Sequence, residues 1–116
     1  MKQVQGEEYK VTYDEAQVLV VFQGMMRLQG ASEYAHIEEL LNEVLSATSE
    51  AITLDLRELE FLNSSGINAI LKFAFKVRDL PGRPSLILQA KSSVPWQSRM
   101  LSNMQRLLSG VKVQYS

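Results

Sequence analysis

The residues of this chain with the most chemical potential are the adjacent hydroxyls Ser64 and Ser65, preceded by Asn63 and followed by Gly66 and Ile67. Upstream, Leu54 to Leu62 reads as a strand, so the hydroxyls fall where a strand leads through a short loop into a helix. Asn and Ser are the residue types that cap orphan backbone N–H groups, and one reading of the stretch is a helix cap and nothing more. The other is a phosphoacceptor. A phosphate at a helix start meets free N–H donors and the positive end of the helix dipole, so it can be held without unfolding its host.

Other chemistries find little support. His36 is the only histidine and there is no cysteine, so a thiol nucleophile is impossible and a metal would have to be held by carboxylates alone. Glu38, Glu39 and Glu43 fall on one side of a helical pattern and read as a solvated face. No G-x-G-x-x-G or G-x-x-x-x-G-K-[ST] pattern exists to cradle a phosphate cofactor. Ser64-Ser65-Gly66 lacks the leading glycine of a hydrolase elbow. These residues imply no metal, no cofactor and no enzyme.

The chain that must position the hydroxyls has 116 residues, 46% of them apolar and 22% charged, the size and balance of a single domain over 1–116. Twelve basic and thirteen acidic residues leave a net charge of −1, without the basic footprint of nucleic-acid binding. No apolar run approaches the roughly 18 residues of a membrane span, and Met1 to Lys10 is polar where a signal peptide would be hydrophobic. The expectation is a cytoplasmic protein.

Tyr9, Val11 and Tyr13 alternate with polar residues, and Val18 to Phe22 is continuously apolar, predicting a hairpin whose second strand is covered on both faces and stops at Gly24. Tyr34, Ile37, Leu41, Val44 and Leu45 recur at helical spacing. Ile52, Leu54 and Leu56 mark another strand, and Ile67, Ile70, Leu71, Ala74 and Val77 a second helix beginning near Asn63-Ser64-Ser65. Ser85 to Gln89 is a further strand, Trp96 to Leu108 a third helix with Pro95 in its first turn, and Val111 to Tyr115 an edge strand. The order β-β-α-β-α-β-α-β predicts an α/β fold, a mixed but mostly parallel sheet with an N-terminal hairpin and three main helices.

Met25, Met26, Arg27 and Leu28 are then expected in a loop that opens near the Ser64 turn, because parallel strands bring both to one end of the sheet. Methionine suits a protein interface as readily as a core edge, and both readings stand. Phe73 and Phe75 fall off the main stripe of their helix and either join that patch or pack beneath neighbouring helices.

In this element order, the hairpin, the Gly24 to Tyr34 turn, the Asp55-Leu56 strand, the Ser64-Ser65-Gly66-Ile67 turn and the closing helix and strand together resemble the STAS family, the domain of anti-sigma factor antagonists. The resemblance covers nearly the whole chain. It implies a non-enzymatic regulatory module of a bacterial partner-switching pathway. Ser64 would be phosphorylated by an anti-sigma-type serine kinase and dephosphorylated by a serine phosphatase. Asn63, Ser65 and Gly66 would form the phosphosite turn, and Met25, Met26, Arg27, Leu28 and Ile67 would meet the protein partner. The family usually carries Asp where this chain has Asn63, which keeps the hydrogen-bonding shape but loses the charge. An unswitched interaction scaffold and a small-molecule or nucleotide sensor are the alternatives within the same fold.

Overall fold

Alternation of apolar and polar residues builds the sheet. The computed structural model describes residues 2–47 and 50–116. It has six strands, β1 (Lys2–Gln5), β2 (Tyr9–Asp14), β3 (Leu19–Met26), β4 (Ala51–Leu62), β5 (Ser85–Ala90) and β6 (Val111–Tyr115). They lie side by side in chain order, β1-β2-β3-β4-β5-β6, in one sheet. The β1–β2 and β2–β3 pairs are antiparallel and the remaining pairs parallel, giving the mixed, mostly parallel sheet that the element order predicts. Four helices complete the fold: α1 (Gly30–Glu33), α2 (Ala35–Val44), α3 (Ser64–Arg78) and α4 (Pro95–Leu107). The fold is thus STAS-like, with the three expected helices preceded by one short additional turn.

The register explains the core. Tyr13, Val20, Leu54 and Leu88 align across four strands and are buried, and they share one cluster with Ile37, Leu41, Ile70, Phe73, Met100 and Leu101 of the helices. The next row, Thr12, Val21, Asp55 and Gln89, points to the opposite face and carries three polar residues. Val18, Leu19 and Val21 are accordingly half-buried and not covered on both sides, because the main helices pack on one face of the sheet only. Asp55 is the buried charge on the open face. It accepts from the Arg57 guanidinium at 2.9 Å on each oxygen. Burial pushes its carboxyl up, but the hydrogen bonds and charge of Arg57 outweigh that and hold it below the usual carboxylate value.

Two further features differ from the sequence-based expectation. Lys2–Gln5 forms an edge strand paired with β2, and Lys2 reaches across to Glu43 of α2. Strand β3 does not stop at Gly24 but runs on to Met26, with register shifts on either side of Gly24. Gly24 adopts φ +89, and a Cβ there would stand 2.1 Å from the Glu8 carbonyl oxygen. The extra residues of the two shifts lie on β4, and Gly24 is the place where β3 passes close to the Glu8 backbone and continues.

Candidate functional site

Because β3 and β4 are parallel, their C-terminal ends meet, with Met26 opposite Leu62. Immediately beyond, Asn63 leaves the strand in an extended conformation (φ −82, ψ 176) and starts α3. Every polar group of Asn63 is engaged. Its Oδ1 accepts from the Gly66 N–H at 3.0 Å and from the Tyr34 hydroxyl at 2.7 Å, while Nδ2 donates to the Leu28 carbonyl at 2.6 Å. Its backbone N–H donates to the Met26 carbonyl at 3.2 Å, and its own carbonyl accepts from the Ile67 N–H at 2.9 Å. Reversing the amide would set a donor against the Gly66 N–H and an acceptor against the Leu28 carbonyl, so these two partners fix its orientation.

The turn is packed as well as hydrogen-bonded. A Cβ on Gly66 would lie 2.2 Å from Leu62 Cδ1 and 2.6 Å from the Tyr34 hydroxyl oxygen, so only glycine permits the first turn of α3 to sit this close to α1 and α2. Ser65 Oγ accepts from the Gly30 N–H at 3.3 Å, tying the turn to α1. Tyr34 is buried, which pushes its phenol pKa up and keeps it a hydrogen-bond donor. Ser64, by contrast, is exposed, and its side chain makes no hydrogen bond among the described residues. It occupies the first helical position, where its N–H and that of Ser65 have no intrahelical acceptor.

The structure brings Leu28 and Ile67 to this end of the sheet as half-buried side chains, with Arg27 exposed beside them. The methionines divide between the two readings. Met26, 1% exposed in β3, belongs to the core and presents nothing to a partner, whereas Met25 is half-buried and lies across from Phe61 of β4. Both are strand residues and not loop residues, a consequence of β3 continuing past Gly24. Arg27 pairs with Glu8 at 2.7 Å, and its guanidinium carbon lies 6.0 Å from the Phe61 ring centroid. Phe61 is 43% exposed and is the residue that sequence reasoning missed. The signal was present in Phe61-Leu62, two adjacent apolar residues at a strand end, of which only one can face the core.

Other candidates fall away from the site. Phe73 is buried, and Phe75 is half-buried with Arg78 stacked 4.9 Å from its ring, so neither joins the Met25 patch. His36 is exposed beside Glu39 at 3.8 Å. Among the described residues, no group of three or more His, Asp or Glu side chains converges to hold a metal, and no helix is long and apolar enough to cross a membrane. A cleft of about 680 Å³ lies at the opposite end of the sheet, beneath the starts of β5 and β6. Ser64 itself is exposed, and a shallow depression of about 130 Å³ lined by Ala31, Tyr34, Ser65 and Lys72 lies beside the turn.

No protein-family model matches this sequence, and no curated protein does. Solved structures do match. One chain of the crystal structure of the diguanylate cyclase SiaD in complex with its activator SiaC, from Pseudomonas aeruginosa, superposes with a TM-score of 0.77 at 17% identity over 100% of both chains. SiaC of Pseudomonas aeruginosa gives 0.71 at 18% identity over 100% of both. An anti-sigma factor antagonist from Mycobacterium paratuberculosis gives 0.64 at 14% identity, covering 94% of this chain and 90% of that one. At these identities the likeness is one of fold, and the fold is that of an anti-sigma factor antagonist.

Proposed function

We propose that this chain is a non-enzymatic, cytoplasmic protein-binding regulator of a bacterial partner-switching pathway. Phosphorylation of Ser64 by an anti-sigma-type serine kinase, reversed by a serine phosphatase, gates docking. The observation that carries the reading is the contrast within the Asn63–Gly66 turn: Asn63, Ser65 and Gly66 are tied into the fold, and Ser64 alone stands exposed and unbonded. Ser64, Arg27, Met25, Phe61, Leu28 and Ile67 form the partner-facing surface. The fold neighbours agree in kind, one being an activator found in complex with a cyclase and another an anti-sigma factor antagonist.

A phosphate on Ser64 adds a charge of about −1.5 to −2 beside free N–H groups, so the phosphorylated domain stays folded. The effect falls on the complex. A partner laid over the turn strips water from oxygens that lack donors, at a cost of several kcal/mol, and each 1.4 kcal/mol is about tenfold in affinity.

The test joins phosphosite mapping with paired variants. Mass spectrometry of protein from its native cells should find phosphate on Ser64. Ser64→Ala should retain a co-purifying protein partner that Ser64→Asp loses, with indistinguishable circular dichroism for the two variants. Equal retention by both variants would refute the switch and leave an unswitched scaffold.

A further inference from the structure

Helices α3 and α4 both descend from the Ser64 end of the sheet, and between them runs a groove of about 250 Å³. Its walls are Ile67 and Leu71 from α3 and Trp96, Met100, Met104 and Leu107 from α4. Leu107 is 59% exposed, whereas Met100, Leu101 and Met104 of the same helix are buried. The volume lies below the roughly 300–1,000 Å³ of small-ligand pockets, and the walls are two helices with no free strand edge to pair. Trp96 to Leu107 extends about 16 Å at 1.5 Å per residue, the length of three helical turns.

Charge decides what fits it. Neither α3 nor α4 contains an Asp or Glu, in a chain that has thirteen acidic residues. Lys72 and Lys76 turn away to Glu38 and Asn42 of α2, and Arg78 is occupied by Asp79. Arg99 and Asn103 line the groove from α4, and Arg106 continues the same helical spacing one turn further on. Arg99 and Arg106 make no ion pair among the described residues. A floor of Ile, Leu and Met beneath an unneutralised cationic lip complements one kind of surface.

We infer that the α3–α4 groove docks an acidic amphipathic helix of a protein partner, its apolar side chains at i, i+3 or i+4 and i+7 set between the two helices and its carboxylates toward Arg99 and Arg106. Two arginines are fewer than the cluster of about four to eight basic residues that anionic membranes recruit, which favours the peptide over a lipid surface. Ile67 is also one helical turn from Ser64. On the reading proposed above, a phosphate there would repel the same acidic helix, although docking in the groove does not depend on phosphorylation.

Trp96 is the only tryptophan, so its fluorescence reports occupancy of the groove directly. The probe is a library of three-turn helical peptides with Leu fixed at the apolar positions and Glu, Gln or Lys at the flanks, selected against the full chain. Enriched peptides should carry Glu at the flanks and shift Trp96 emission. They should bind tenfold or more weakly to Arg99→Glu and to Leu107→Ser, exposed positions whose replacement leaves the core intact. Enrichment of Lys-flanked peptides, no enrichment above the Arg99→Glu variant, or equal capture by vesicles of anionic phospholipid would overturn the inference. Loss on Arg99→Glu without loss on Ser64→Asp would support the groove and refute the phosphate gate.

Discussion

Replacing Asn63 by Asp, the residue that the STAS resemblance leads one to expect there, should destabilise this chain even though Asp is as good a helix cap. The cap itself survives, since a carboxylate oxygen can still accept from the Gly66 N–H and the Tyr34 hydroxyl, and a negative charge at a helix start is favourable by about 0.3–1 kcal/mol. The loss is on the other side. Nδ2 now donates to the Leu28 carbonyl at 2.6 Å, and a carboxylate puts a second acceptor there, leaving a part-buried carbonyl without its donor at a cost of about 1–3 kcal/mol. The net is about 1–2 kcal/mol of destabilisation at neutral pH, or ~4–10 °C in melting temperature for a domain of this size. Thermal melts of Asn63→Asp and the parent at pH 7, followed by circular dichroism, measure it. Protonation would restore an O–H donor toward Leu28, so the gap should narrow as pH falls through the introduced carboxyl group's titration. An Asn63→Asp protein that melts at or above the parent temperature at pH 7 would show that the Leu28 contact does not select Asn.

The two methionines should separate cleanly by stability: Met26→Ala should lose about 2–5 kcal/mol in urea denaturation, as for other buried side chains, and Met25→Ala less than about 1 kcal/mol. The carboxyl of Asp55 is held down in the fold, so its contribution is fully present above the unfolded carboxyl value near 3.9 and disappears as pH falls through the lower folded value. Denaturation titrations between pH 6 and pH 2 should therefore show Asp55→Asn less acid-sensitive than the parent, by no more than ~1 kcal/mol because Arg57 is partly exposed and screened. Identical acid profiles would remove the Asp55–Arg57 pair from the account.

Where the periodic signal was strong, sequence and structure agree, as in the α2 and α3 stripes, in Met100, Met104 and Leu108 of the third stripe, and in the Asn63 cap, while Leu107 of that stripe is exposed. Lys2–Gln5 gave no such signal, because its only apolar residue is Val4 and an edge strand is held mainly by backbone pairing that side-chain patterns do not record. Gly24 misled for a different reason. Glycine marks turns and close backbone approaches alike, and only the position of Glu8, just before β2, decides which. Misplacing the end of β3 carried Met26 onto the surface and hid the pairing of Met25 with Phe61. The donor from Asn63 to Leu28 was equally out of reach, since it joins residues 35 positions apart through a contact that only the assembled strand ends create.

The strand order of the sheet bears on how the molecule is made. Since β1 to β6 are neighbours in space in the order in which they are synthesised, each strand leaving the ribosome finds its pairing partner already in place, and no earlier strand has to wait for a later one to be inserted between it and its neighbour. The growing edge is always the newest strand. Until β5 arrives, that edge is β4, with its row of unpaired backbone groups, and α3 follows it immediately. The interval in which this strand lies open to a second nascent chain is thus only as long as translation takes to pass from Leu62 to Ala90, a few seconds at about 5–20 residues per second.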